Sequence, residues 1–170
     1  MINLIYYTHA SSKVCALYHD KELAKMAMQS YYNLLLMAHK KLDGVASIDY
    51  LTSCGFDFDS IFITDSPSLY WTTCSSYHYN WLFECFVNLV VQYEKHVAKT
   101  PHSCYVSHFF KSPNNILKKG FKAPYPLNPM TKNSTIESNV AVLNEVYKSI
   151  YVKPPEWPWL PGKPDWYKGE

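Results

Sequence analysis

The chain has 170 residues, 48% of them hydrophobic and 16% aromatic, a length that fits one domain and a composition that excludes disorder or low complexity. Its net charge of +2 includes sixteen lysines and no arginine. Any contact with nucleic acid is therefore expected to be led by the phosphate backbone, because the forked grip on a guanine edge belongs to arginine; compositional drift in an AT-rich genome explains the missing arginine itself.

In chain order, "MINLIYYT" reads as a short apolar strand or as the buried lead-in to a helix. Ser11 or Ser12 can cap a brief helix through Tyr18. Asp20 then offers an N-cap for a longer helix whose core stripe is Leu23, Met26, Ala27, Leu34, Met37 and Ala38, ending at Gly44. Residues 45–68 carry mixed signals and read as a loop with short helical turns. From Ser75 to about Lys99, the spacing of Trp81, Leu82, Cys85, Phe86, Leu89, Val90 and Tyr93 predicts a helix with one buried face, stopped by Pro101.

A proline- and asparagine-rich loop, "KSPNNILKKGFKAPYPLNPMTKNS", follows with a run of lysines. Ser134 and Glu137 have capping-box spacing, and Val140, Leu143, Tyr147 and Ile150 mark the inner face of a further helix. The tail "KPPEWPWLPGKPDWYKGE" cannot be regular, since its prolines remove donors, and its three tryptophans are expected to pack across the helices. The expectation is an all-α, compact single-domain helical bundle spanning residues 1–170, with long loops and an aromatic, proline-rich C-terminal tail.

Five cysteines, with no Cys-x-x-Cys pair, point to a reduced, cytoplasmic protein. His102, Cys104 and His108 lie close in sequence but fit no zinc spacing, so neither a metal nor another cofactor is expected. No signal peptide or membrane span is evident, and no membrane partner is expected.

The long helix carries an unusual ridge. Glu22, Lys25, Gln29, Asn33 and Leu36 step by three or four residues, so mostly polar side chains share one line among methionines, tyrosines and leucines. Such a ridge is a solvated face, or it points at another polar group or a cavity. Glu84, on one face with Tyr77, Trp81 and Asn88, is either a satisfied core group or a carboxylate able to hold an extruded base. His39, beside Lys40 and Lys41, reads as a surface or cap residue.

The run "YHDKELAKMAMQSYYNLLLMAHKKLDG" resembles the signature of a group of small phage proteins, and the likeness continues through "SPSLYW", "YNWLFECFVNLVVQYEKH", "SPNN" and "EVYKSIY". More distantly, the chain resembles the phage pyrimidine-dimer DNA glycosylases of the endonuclease V type, and "KPDWYKGE" is similar to their Trp-Tyr-Lys motif that lies against DNA. The resemblance implies a helical domain that extrudes a nucleotide from duplex DNA in an infected host cell.

Residue by residue, the resemblance places the motif aspartate at Asp20 and the essential acid-base glutamate at Gln29, with Glu22 where the motif histidine stands. With the polar ridge and the Glu84 face, this gives a candidate catalytic set of Asp20, Glu22 and Gln29, and a candidate base or substrate set of Lys25, Asn33, Trp81, Glu84 and Tyr147. DNA contacts would come from Lys21, Lys118, Lys119, Lys122, Trp166, Tyr167 and Lys168. An amide cannot exchange a proton as a carboxylate does, and Met1 before Ile2 leaves no threonine amine as nucleophile. The expected function is therefore group transfer in thymine hypermodification, placing an amine or amino-acid co-substrate on activated 5-hydroxymethyluracil. The alternatives are a pyrimidine-dimer glycosylase and AP lyase working through Glu22, or a catalytically inactive binder of DNA or protein.

Overall fold

The computed structural model describes residues 5–53, 55, 62–118, 135–150 and 155–168. Among the described residues, six α-helices form an all-α architecture: α1 (Ser12–Leu17), α2 (Lys21–Asp43), α3 (Val45–Ser53), α4 (Pro67–Cys74), α5 (Ser76–His96) and α6 (Ile136–Ile150), with a 3-10 stretch over Pro101–Phe109. Among the described residues there is no strand, and no helix is long and apolar enough to cross a membrane.

α2 is the central element because its sequence is apolar on more than half its circumference. Ala24, Ala27, Tyr31, Leu34, Leu35 and Ala38 are fully buried, and the helix packs against α3, α4, α5 and the 3-10 stretch. Asp20 starts it, accepting the backbone N–H groups of Glu22 and Leu23 at 2.8 and 3.0 Å. Gly44 ends it at φ 54°, a left-handed conformation that a side chain would strain. The antiparallel partner α5 starts at the Ser75 cap and brings Leu82, Cys85, Phe86 and Leu89 into the same core.

Several sequence expectations are corrected. Met26 is 59% exposed rather than part of the core stripe, because it shares the outward face with Glu22 and Gln29 at helical spacing. Residues 45–68 hold more helix than short turns, with 54 and 56–61 outside the described residues: α3 begins directly after Gly44, and Ser66-Pro67 forms an N-cap and first-turn pair that opens α4, with Ser66 Oγ accepting from the Leu69 N–H at 3.1 Å. α5 ends at His96, short of Pro101, which instead opens the 3-10 stretch behind a Thr100 cap. His39 is neither a surface nor a cap residue. It is buried, with Nε2 2.9 Å from the Tyr79 hydroxyl and Nδ1 3.4 Å from Ser47 Oγ, which donates to Asp43 Oδ2 at 3.2 Å.

The N-terminal segment from Ile5 is the buried lead-in to α1. The tail crosses the junction of α1 and α2: the indole N–H groups of Trp157 and Trp159 donate to the carbonyls of Tyr18 and Leu17 at 3.1 and 2.9 Å, and the Lys21 N–H donates to Glu156 O at 2.8 Å. Both tryptophans are buried, as the composition of the tail predicted. The Ser134 half of the capping box lies outside the described residues.

Candidate functional site

The polar ridge of α2 forms one wall of a groove of about 630 Å³. Glu22, Lys25, Met26 and Gln29 come from α2, while Tyr93, Lys99, Thr100 and His102 come from the end of α5 and the turn after it, with Tyr6 alongside. Gln29 is half-buried, and its Nε2 donates to Asn33 Oδ1 at 3.1 Å, which fixes the amide along the ridge. Glu22 and Lys25 are exposed at the outer end. The ridge thus runs from water at Glu22 to the core at Leu36, with Gln29 at the transition.

Glu22 and Gln29 are two helical turns apart, about 10 Å along the axis. A carboxylate at 22 therefore cannot occupy the place that a carboxylate at 29 would; each meets a different part of a guest. The opposite wall is held by the turn after α5, where the Thr100 N–H donates to Glu94 Oε1 at 2.9 Å. Lys99 lies 3.7 Å from Glu94 but is largely exposed, a pairing worth little in water.

Other sequence candidates lie elsewhere. Asp20 is 1% exposed and its carboxylate is engaged as the α2 cap, so its visible work is structural. Trp81 and Glu84 line a separate hollow of about 450 Å³ beside α1. Trp81 is buried there by stacking on Tyr7, with centroids 4.7 Å apart, and its indole N–H donates to Ala10 O at 2.7 Å, leaving no open ring face for a base. Glu84 is exposed and accepts from Ser12 Oγ at 2.8 Å, tying α1 to α5. It is thus a surface anchor rather than a core carboxylate.

Lys21 is half-buried at the start of α2 and Lys118 is exposed. Lys119 and Lys122 lie outside the described residues, as does the side chain of Tyr147. Trp166 packs edge-on against Trp157 and Tyr18, at 6.3 and 6.4 Å, and Tyr167 packs on Trp157 at 5.0 Å. Asn144 holds this segment by donating to Trp166 O and accepting from the Lys168 N–H, both at 3.1 Å. Trp166 and Lys168 border a hollow of about 680 Å³ with Glu137, Glu145 and Asp165.

Burial disfavours the charged form of two histidines, one linked to the groove and one lining it. Burial pushes the His19 ring down to about 4. Its Nδ1 lies 2.7 Å from Cys15 O, so Nδ1 carries the proton and Nε2 accepts from Tyr31 Oη at 3.1 Å. Tyr31 Oη in turn accepts the Tyr6 N–H at 3.1 Å. This chain of bonds fixes Tyr6, a groove residue. His102 also lines the groove, with burial lowering its ring below the usual histidine range; the sequence reading weighed it only as a metal ligand. Among the described residues no group of three or more His, Cys, Asp or Glu is arranged to hold a metal ion.

No family model, curated protein or solved structure matches this chain.

Proposed function

We propose that this protein processes DNA, receiving a thymine-type base extruded from the duplex in the groove beside Gln29 and transferring an amine-bearing group to it. The observation that carries this reading is the joint presence of Glu22, Lys25 and Gln29 on one groove wall with the volume of a nucleotide site. Gln29 offers a fixed amide for the base edge, where it binds without exchanging protons.

The step that fits is displacement at the exocyclic carbon of phosphorylated 5-hydroxymethyluracil. The amine nitrogen forms the new C–N bond, the C–O bond breaks, and phosphate leaves with the electron pair. The proton released by the amine passes to the Glu22 carboxylate, and Lys25 meets the departing phosphate as a point charge. The two-turn separation of Glu22 from Gln29 supports this division between recognition and proton transfer.

A second reading, base excision through Glu22, is favoured by the place of Glu22 on the same wall. The test uses two duplexes, one with phosphorylated 5-hydroxymethyluracil plus a mixture of amino acids and alkyl diamines, the other with pyrimidine dimers. A mass gain on the first, abolished by Glu22→Gln, is the expected result. Abasic sites on the second would replace transfer by excision, and no binding to either duplex would end both readings.

A further inference from the structure

His102 belongs to the groove but has no role in the reaction as described. Its ring is buried against Tyr32 and Phe86, with centroids 5.6 and 6.0 Å away, and its Nδ1 is sealed from solvent with no hydrogen-bond partner among the described residues. A buried polar atom left in that condition is unfavourable and calls for an explanation. An orphaned buried N–H is rarer in proteins than an under-satisfied acceptor. Nδ1 therefore keeps its lone pair, and the proton of the neutral ring sits on Nε2, the nitrogen left to meet a guest. Gln29 supplies the complementary group: one N–H of its Nε2 is given to Asn33 Oδ1 at 3.1 Å, which orients the amide, and its carbonyl Oε1 is the acceptor it offers to a ligand.

We propose that Gln29 Oε1 and His102 Nε2–H form an acceptor–donor pair that reads the imide edge of a pyrimidine-2,4-dione. Oε1 takes the ring N3–H, and Nε2–H donates to the adjacent carbonyl oxygen. Held in the same pose, a cytosine-type edge sets its ring-nitrogen acceptor against Oε1 and its amino donor against Nε2–H, so acceptor meets acceptor, donor meets donor, and both protein groups go unpaired. The inference rests on the base-site reading above and adds the residue that makes the site selective.

The test is calorimetric binding of 5-hydroxymethyl-2′-deoxyuridine monophosphate and 5-hydroxymethyl-2′-deoxycytidine monophosphate to the full chain, its His102→Phe variant and its His102→Gln variant. The parent is expected to favour the uracil form by about 10-fold or more, and His102→Phe to reduce that preference to about 2-fold. His102→Gln, which retains a donor, is expected to keep part of the preference. Independently of any variant, imidazole nitrogen NMR of the parent should show the Nε2–H tautomer at His102 and a shift of Nε2 on adding the uracil nucleotide. An Nδ1–H tautomer, or undiminished preference in His102→Phe, overturns the pair. Equal binding of both nucleotides by the parent removes the pair but leaves the base site standing; binding of neither, together with no binding of the hydroxymethyluracil duplex, removes the base site and the pair with it.

Discussion

Lowering the pH from 7 to 5 is expected to remove about 4 kcal/mol of folding stability, through His19 and His39. Each is buried, and burial pushes each ring from an ordinary 6.5 down to about 4. Between those values the unfolded chain binds a proton that the folded chain refuses. Stability is therefore present in full above the upper value and falls as pH drops toward the lower one. At pH 5 the loss is about 2 kcal/mol for each ring, and it approaches about 3 kcal/mol each near pH 4. That is a large share of the stability of a typical domain, about 5–15 kcal/mol. Asp43, which two backbone N–H groups at 2.7 and 2.9 Å hold below the usual carboxylate range, loses its contribution only below about 4 and does not enter this window. Urea unfolding followed by tryptophan fluorescence at the two pH values measures the difference. Replacing His39 with Gln should remove about half of the pH dependence. A change below about 1 kcal/mol between pH 7 and 5 refutes the assignment of both rings as neutral hydrogen-bonded groups, and a change that the His39 variant leaves intact refutes it for His39.

Three further outcomes test other parts of the structure. Trp159→Ala should cost about 3–5 kcal/mol in urea unfolding, since it empties a buried indole site and releases the Leu17 carbonyl; protease cutting of the tail should rise with it. Charge reversal at Lys118 and Lys119 should lower the slope of log affinity for duplex DNA against log salt by about 2, and an unchanged slope removes that loop from the DNA contact. Gln29→Glu should give abasic sites in dimer-containing duplex if the groove descends from an excision site, measured by strand cleavage after alkali treatment, with no product from the parent.

The helices were legible where a single periodic pattern or cap decided them. The Asp20 cap, the Gly44 end and the buried stripe of α5 follow from local spacing, because each answers to backbone groups within a few residues. α3 was missed because its helix begins immediately beyond a glycine, where a turn is the simpler reading. The ridge on α2 was visible, but the opposite groove wall was not: Thr100 and His102 come to line one groove with Gln29 only through the packing of α5 on α2, which no local pattern encodes. Trp81 and Glu84 show the converse error. They share a face of α5 with each other, yet α1 lies against that face and turns one into a stacked core ring and the other into an anchor for Ser12.

Charge separates the tail, where a nucleic-acid backbone was expected to lie, from the groove beside Gln29. Lys168 borders a hollow that also carries Glu137, Glu145 and Asp165, so among the described residues a phosphate arriving there would meet three carboxylates against one ammonium. Trp166 and Tyr167 are packed on Trp157, which limits the ring area they can offer to a base or sugar. Among the described residues, the groove beside Gln29 carries Lys25 and Lys99 against Glu22, with Glu94 loosely paired to Lys99 behind it. At an ionic strength of about 0.15 M, charges more than about 8 Å apart are largely screened, so the local balance outweighs the net charge of the chain. Electrostatics thus favours a phosphate backbone at the groove rim over one at the tail. Under the proposed reading, a base bound there would meet Glu22, Lys25 and Gln29 rather than the carboxylates of the tail hollow.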